Sequence, residues 1–309
     1  MITALFSATD SNWDKFSGPL RDAFTAAGLS VDLTREASPD AVDYIIYAPN
    51  SRLQDFTPFT RLKAVLSLWA GVETAVNNPT LTVQFTRMVS DGLSEGMVEW
   101  CTGHVLRHHL SMDRDICRTD AVWDPVIPPL ARDRPVSILG LGALGQAVAE
   151  TLVALRFPVK GWSRSPKQIE GVQCLSGDDG LAEALRGAEI VVLLLPMTPQ
   201  TENVLDAERL SLVARGAFII NPGRGPLIDD DALLAALDSG QIAHATLDVF
   251  RIEPLPEDHP FWSHPKVTVT PHIASDTRAD TAAEVIAENI RRGEAGEPFL
   301  HLVDRQAGY

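Results

Sequence analysis

Apolar runs of strand length recur along this chain, separated by stretches with helical spacing. Ile2–Ser7, Ser30–Leu33, Val42–Tyr47 and Leu62–Leu68 read as strands, and Trp13–Ala27 reads as a helix stopped by Gly28. That alternation predicts a small parallel α/β domain. Ser94–Leu110 reads as a long helix that crosses into a second domain, and the proline-rich Ala121–Arg134 stretch reads as a surface connection. The alternation then resumes. Strands are expected at Val136–Leu139, Val159–Trp162, Glu189–Leu195, Ala217–Ile220, Ala243–Leu247 and Val267–Thr270. Helices are expected at Ala147–Leu155, Leu181–Leu185, Ala232–Leu237 (capped by Asp229, closed by Gly240) and Thr277–Arg292. No apolar run approaches the length of a membrane span.

Composition narrows the partners. At 309 residues the chain can hold about two sizeable cores. A formal charge of −15 argues against nucleic acid or an anionic membrane surface as the main partner, because phosphate contacts need clustered Lys and Arg. Individual arginines therefore become informative. The three cysteines, Cys101, Cys117 and Cys174, lack metal-ligand spacing, and the first residues have no basic leader, so the expected compartment is the cytoplasm. His104 and His108 lie one helical turn apart, but Val105 stands where a zinc protease has Glu and no third ligand is evident. No metal site is expected.

Candidate chemistry begins at Gly140-Leu-Gly142-Ala143-Leu144-Gly145, a Gly-x-Gly-x-x-Gly turn between a strand and a helix. Gly140 permits the tight turn, Gly142 the approach of phosphates and Gly145 close helix packing, while the helix N-terminus favours an anion. At the end of the next strand, where an NAD site carries Asp or Glu, this chain has Ser163, Arg164, Ser165 and Lys167. Ser and Arg can bond a ribose 2′-phosphate that an acid would repel, which favours NADP over NAD, with NAD still allowed; the alternative is a solvated loop charge. Arg224, Asp248 and His272 each follow an expected strand, so they share the carboxyl edge of one sheet, where doubly wound sheets place ligands. The turn Trp69-Ala70-Gly71-Val72 follows a strand of the first domain, and it is either a carboxylate-holding loop or an ordinary βα turn.

The glycine turn, Asn221-Pro222-Gly223-Arg224-Gly225, Leu247-Asp248-Val249-Phe250, Glu253-Pro254-Leu255-Pro256 and Thr270-Pro271-His272-Ile273-Ala274 together resemble the D-isomer-specific 2-hydroxyacid dehydrogenases over nearly the whole chain. Trp162-Ser163-Arg164, Arg156-Phe157-Pro158 and Phe261-Trp262-Ser263-His264-Pro265 resemble the branch that reduces glyoxylate and hydroxypyruvate. The resemblance implies a Rossmann-type doubly wound sheet, residues 99–279, inserted into a smaller flavodoxin-like substrate domain, residues 1–98 plus 280–309, with a hinge at the crossings. It implies reduction of a small 2-keto acid by NADPH, with His272 as proton donor, Glu253 as its partner and Arg224 on the substrate carboxylate. Leu195, Pro196, Thr201, Asn221, Pro222, Gly223 and Asp248 would join the cofactor site, Asp248 near the nicotinamide carboxamide. Trp69, Ala70, Gly71 and Val72 would hold the substrate. Two features depart from the family pattern: Glu73 stands where Asp is common, and Pro222 removes a donor beside Arg224. A homodimer is expected, in which Trp123 either reaches a neighbouring active site or packs under its own loop. The rival readings are a reductase of phenylpyruvate- or pyruvate-like acids and a nucleotide-sensing protein with little turnover.

Overall fold

The computed structural model describes residues 1–308, which divide into two compact units. The first combines Met1–Leu93 with the C-terminal segment from Asp276, and the second is the continuous stretch Ser94–Ser275. The sequence placed these divides at 98 and 280. They fall at 93 and 276 because Gly92 lies against the Arg278 and Thr281 side chains, whereas Gly96 lies against Ser275.

The first unit holds β1 (Ile2–Ser7), α1 (Asp10–Ala26), β2 (Val31–Thr34), β3 (Tyr44–Tyr47), β4 (Ala64–Ser67) and β5 (Gln84–Thr86). Its parallel sheet runs β2-β1-β3-β4-β5, the flavodoxin-like order. β3 and β4 are buried throughout, as expected of strands covered on both faces. One face is covered by Phe16, Leu20 and Phe24 of α1 and by Ala282, Ile286 and Ile290 of the C-terminal helix. The other packs on Phe56, Leu81 and Phe85. Beyond β5 the C-terminal tail pairs antiparallel, Val303 N–H donating to Phe85 O at 2.8 Å and Arg87 N–H to His301 O at 3.0 Å.

α2 (Asp91–His109) opens at the divide, and the second unit continues with α3 (Met112–Ile116), β6 (Val136–Leu139), α4 (Ala143–Ala154), β7 (Val159–Trp162) and β8 (Val172–Leu175). Next come α5 (Gly177–Leu185), β9 (Ile190–Leu193), α6 (Ala207–Leu210), β10 (Ala217–Asn221), α7 (Asp230–Asp238), β11 (Ile242–Leu247) and β12 (Val267–Val269). The helix that closes the first unit is α8 (Ala279–Ala295), ended by Gly296 at φ 71°. The parallel order β12-β11-β10-β9-β6-β7-β8 is doubly wound, and its direction reverses between β6 and β9. β5, β8, α3 and α6 have no counterpart in the sequence reading: they are short, and the apolar pattern over each is broken.

Candidate active site

The glycine turn sits at that reversal. α4 begins four residues earlier than expected, at Ala143, with Gly142 as its N-cap. Gly140 has φ +110°, and a Cβ there would meet Leu194 O at 2.5 Å; one at Gly145 would lie 1.7 Å from Gly140 O. Both positions therefore require glycine, whereas a Cβ at Gly142 would meet nothing within 4 Å. The turn is thus packed from behind and open in front, with the first N–H groups of α4 at its mouth. That shape fits a pyrophosphate. Ala143 and Leu144 form the first turn of α4. At the end of β7, Ser163 is buried and donates to Ser165 O at 2.7 Å, which folds the turn that presents exposed Arg164 and Lys167.

The loops after β9, β10 and β11 carry the remaining groups. Leu195 and Pro196 follow β9, and the Thr201 hydroxyl donates to Pro196 O at 2.7 Å while accepting Thr198 N–H at 2.8 Å. Asn221 ends β10 buried, its amide donating to Arg224 O at 2.9 Å and its oxygen accepting Gly223 N–H at 3.1 Å. Thr201 and Asn221 therefore shape their loops through the polar atoms assigned to the cofactor. Pro222 and Gly223 are buried in the same turn. It delivers Arg224, whose Nη1 donates to Gly223 O at 2.6 Å.

Asp248 follows β11 directly. It is fully buried, with one carboxylate oxygen accepting Thr270 Oγ1 at 2.6 Å and Ile273 N–H at 2.8 Å, and the other Ala274 N–H at 2.8 Å. Its backbone oxygen accepts His272 N–H at 2.9 Å. Asp248 thus clamps the His272 loop. The clamp holds His272 at φ 54°, a left-handed conformation uncommon outside glycine. In that conformation His272 Nδ1 lies 2.7 Å from Glu253 Oε2, and Glu253 Oε1 accepts Phe250 N–H at 2.9 Å.

The pair sustains its own charges. The Glu253 hydrogen bond raises the His272 pKa; burial opposes this, while the Glu253 and Asp248 charges add to it and Arg224 detracts. Burial works against the Glu253 carboxylate, but the His272 and Phe250 hydrogen bonds and the His272 and Arg224 charges carry its pKa below the ordinary range. Arg224 is thus close enough to be felt by both partners. An imidazolium held on its acceptor, beside a guanidinium, can bind a carboxylate and hand a proton to an emerging alkoxide.

In the first unit, Trp69 is 37% exposed and its N–H donates to Ser67 Oγ at 3.0 Å, which turns the chain into Ala70, Gly71 and buried Val72. Trp123 is 95% exposed and does not pack under its own loop. His108 is buried, bonded through Nε2 to Thr246 Oγ1 at 2.9 Å and stacked on Phe218 at 4.6 Å. It is a packed residue of α2.

A doubly wound sheet with a glycine cradle at its switch point and an ion-paired histidine at its carboxyl edge defines a dinucleotide-dependent oxidoreductase. The family model described as D-isomer specific 2-hydroxyacid dehydrogenase, NAD binding domain, matches residues 103–274, and the chain belongs to the D-isomer specific 2-hydroxyacid dehydrogenase family. It is 42% identical over 257 residues to glyoxylate/hydroxypyruvate reductase A of Serratia proteamaculans (strain 568), covering 81% of this chain and 82% of that protein. The D-isomer specific 2-hydroxyacid dehydrogenase of Xanthobacter autotrophicus Py2, solved in complex with NADPH and MES, superposes with a TM-score of 0.89 at 42% identity. That match covers 100% of this chain and 99% of the other. The NADPH-dependent glyoxylate/hydroxypyruvate reductase of Sinorhizobium meliloti, solved with NADP and sulfate, superposes with a TM-score of 0.86 at 32% identity, covering 100% of both chains.

Proposed function

We propose that this chain reduces glyoxylate to glycolate and hydroxypyruvate to D-glycerate with NADPH. The observation that carries the reading is the 2.7 Å His272–Glu253 pair beside Arg224, in the unit that also holds the glycine cradle. Bound NADPH supplies a hydride to the keto carbon. Arg224 pairs with the substrate carboxylate and polarises the keto oxygen through a planar, permanently charged donor. His272, held through Nδ1, delivers its Nε2 proton to that oxygen as the alkoxide forms, and Glu253 keeps the ring charged and aligned. The α4 N-terminus takes the pyrophosphate, and Ser163, Arg164, Ser165 and Lys167 surround the 2′-phosphate. The deciding experiment follows NADPH absorbance with a panel of 2-keto acids beside His272→Ala. Glyoxylate and hydroxypyruvate are the expected substrates, with turnover falling ~10²-fold or more in the variant; silence with every acid refutes the reading.

We also propose a homodimer located in the cytoplasm. Leu110, Met112, Ile116, Trp123, Val126 and Ile127 expose a run of apolar surface within a short span of sequence, which suits a contact with a second copy. If Trp123 completes the neighbouring site, Trp123→Ala changes the preference among 2-keto acids, and an unchanged profile removes that role.

A further inference from the structure

Arg251 belongs to none of the roles above, yet its side chain reaches the loops that carry them. It follows Phe250, whose N–H holds Glu253, and precedes Glu253 itself by two positions. Its Nη2 donates to Ile228 O at 2.5 Å and to Asn203 Oδ1, while Nη1 lies 3.6 Å from Glu202 Oε1 and Nε 3.6 Å from Asp230 Oδ2. Ile228 closes the turn that begins at Arg224, and Asp230 opens α7 directly beyond it. Asn203 and Glu202 follow Thr201 in the loop after β9. Asn203 takes a left-handed φ of 52° and donates its N–H to Pro226 O at 2.8 Å, so that loop is already fastened to the Arg224 turn.

Backbone packing places the guanidinium over a tight seam. A Cβ at Gly225 would stand 2.0 Å from the Phe250 carbonyl carbon and 2.4 Å from Arg251 N, so the Arg224 and Glu253 loops touch backbone to backbone. Gly225 itself offers no side chain to key one wall against the other. Arg251 crosses the seam, and its planar fork can satisfy several acceptors at fixed angles in a way a lysine ammonium cannot. The side chain is 31% exposed, so its value lies in geometry more than in the strength of any one ion pair.

We propose that Arg251 is a positioning residue that locks the Arg224 turn to the Glu253 loop and so sets the guanidinium and the His272–Glu253 pair in register for the reaction proposed above. The charged groups around it are Glu202 and Asp230, with His259 3.9 Å beyond on Asp230; those around His272 are Glu253, Asp248 and Arg224. Loosening the seam lets Glu253 drift from His272, and the imidazole then gives up its proton at lower pH.

The test compares the full-length protein with Arg251→Met, which keeps much of the stem, and Arg251→Lys, which keeps the charge. Turnover with NADPH and glyoxylate is expected to fall about tenfold in both, since a small misplacement of reacting groups is costly while cofactor affinity depends on other contacts. Titration of the His272 imidazole by NMR is expected to move to lower pH in both variants, and this readout needs no turnover. If the wild type turns over none of the acids, the reductase reading fails while the His272 titration still decides the role of Arg251. Variants that lose thermal stability but keep the wild-type His272 titration and turnover give Arg251 a merely structural part and overturn the proposal. So does full recovery by lysine, which would make charge rather than the fork responsible.

Discussion

Gly225→Ala probes whether the loops bearing Arg224 and Glu253 must touch. The added Cβ would stand 2.0 Å from the Phe250 carbonyl carbon, 2.3 Å from its oxygen and 2.4 Å from Arg251 N. Ordinary contact begins near 3.4 Å, so the walls of the seam must part by 3.4 − 2.0, about 1.4 Å. All three obstacles are backbone atoms, which have no rotamer into which to retreat, and close-packed surroundings resist the shift. A displacement of ~1 Å in a catalytic array lowers turnover by about 10²-fold, equivalent to ~2.7 kcal/mol of barrier. Steady-state NADPH oxidation with glyoxylate measures kcat, and NADPH fluorescence titration shows whether the cradle at Gly140–Gly145 still binds. The expected result is a ~10²-fold loss in kcat with a smaller change in cofactor affinity. Gly103→Ala on α2 is the control: its Cβ meets nothing within 4 Å, so it should keep kcat and gain ~0.5–1 kcal/mol of stability from the helix. A Gly225→Ala protein with wild-type turnover and thermal midpoint would refute the claim that the seam sets the site.

Three further outcomes follow from the electrostatics. If His272 is the proton donor proposed above, then, because Glu253 raises its pKa, kcat/KM should fall as pH rises through that raised value. Glu253→Gln should bring the fall to lower pH, and an unmoved profile would dissociate Glu253 from the proton donor. Burial pushes the His108 pKa down to about 3 and the His244 pKa down to about 4. The unfolded chain therefore binds protons that the native one refuses below the ordinary histidine value. Each histidine should erode stability by up to ~1.4 kcal/mol per pH unit as pH falls from about 6.5 towards its folded pKa. Urea midpoints across that range check this, and His108→Gln should flatten the slope. Arg164→Ala should raise the KM for NADPH about tenfold, the loss of a charged hydrogen bond, while leaving NADH little changed; equal effects on both cofactors would place Arg164 away from the 2′-phosphate.

Much of the architecture was legible because fully buried parallel strands are written as unbroken apolar runs. Ala217–Ile220 came out within one residue, and Val159–Trp162 to the residue even though Lys160 interrupts its apolar run. Boundaries drifted where glycine fills a helical role: α4 starts at Ala143 because Gly142 caps it, and α5 starts at Gly177. Arg224, Asp248 and His272 could be singled out because each is an ionisable group just past an expected strand, and Glu253 through the family resemblance. What stayed hidden was how their loops are held. Asp248 carries the charge of a ligand-binding residue, yet it accepts from Thr270, Ile273 and Ala274 inside the fold. Nothing in the order of residues shows that a carboxylate will cap backbone N–H groups. Arg251 was invisible for the same reason, since Asn203, Ile228 and Asp230 become its neighbours only when three loops meet.

α8 and the pairing of residues 301–303 on β5 also govern the order in which the protein can be finished. During synthesis Phe16, Leu20 and Phe24 emerge early, but Ala282, Ile286 and Ile290, which complete their cluster, emerge only after the whole of Ser94–Ser275. The intervening unit is continuous and can close first. Until α8 and residues 301–303 leave the ribosome, the first unit's sheet keeps an apolar face incompletely covered and an unpaired edge at β5, the features through which nascent chains aggregate. A late segment of the chain is therefore both lid and edging for an early one.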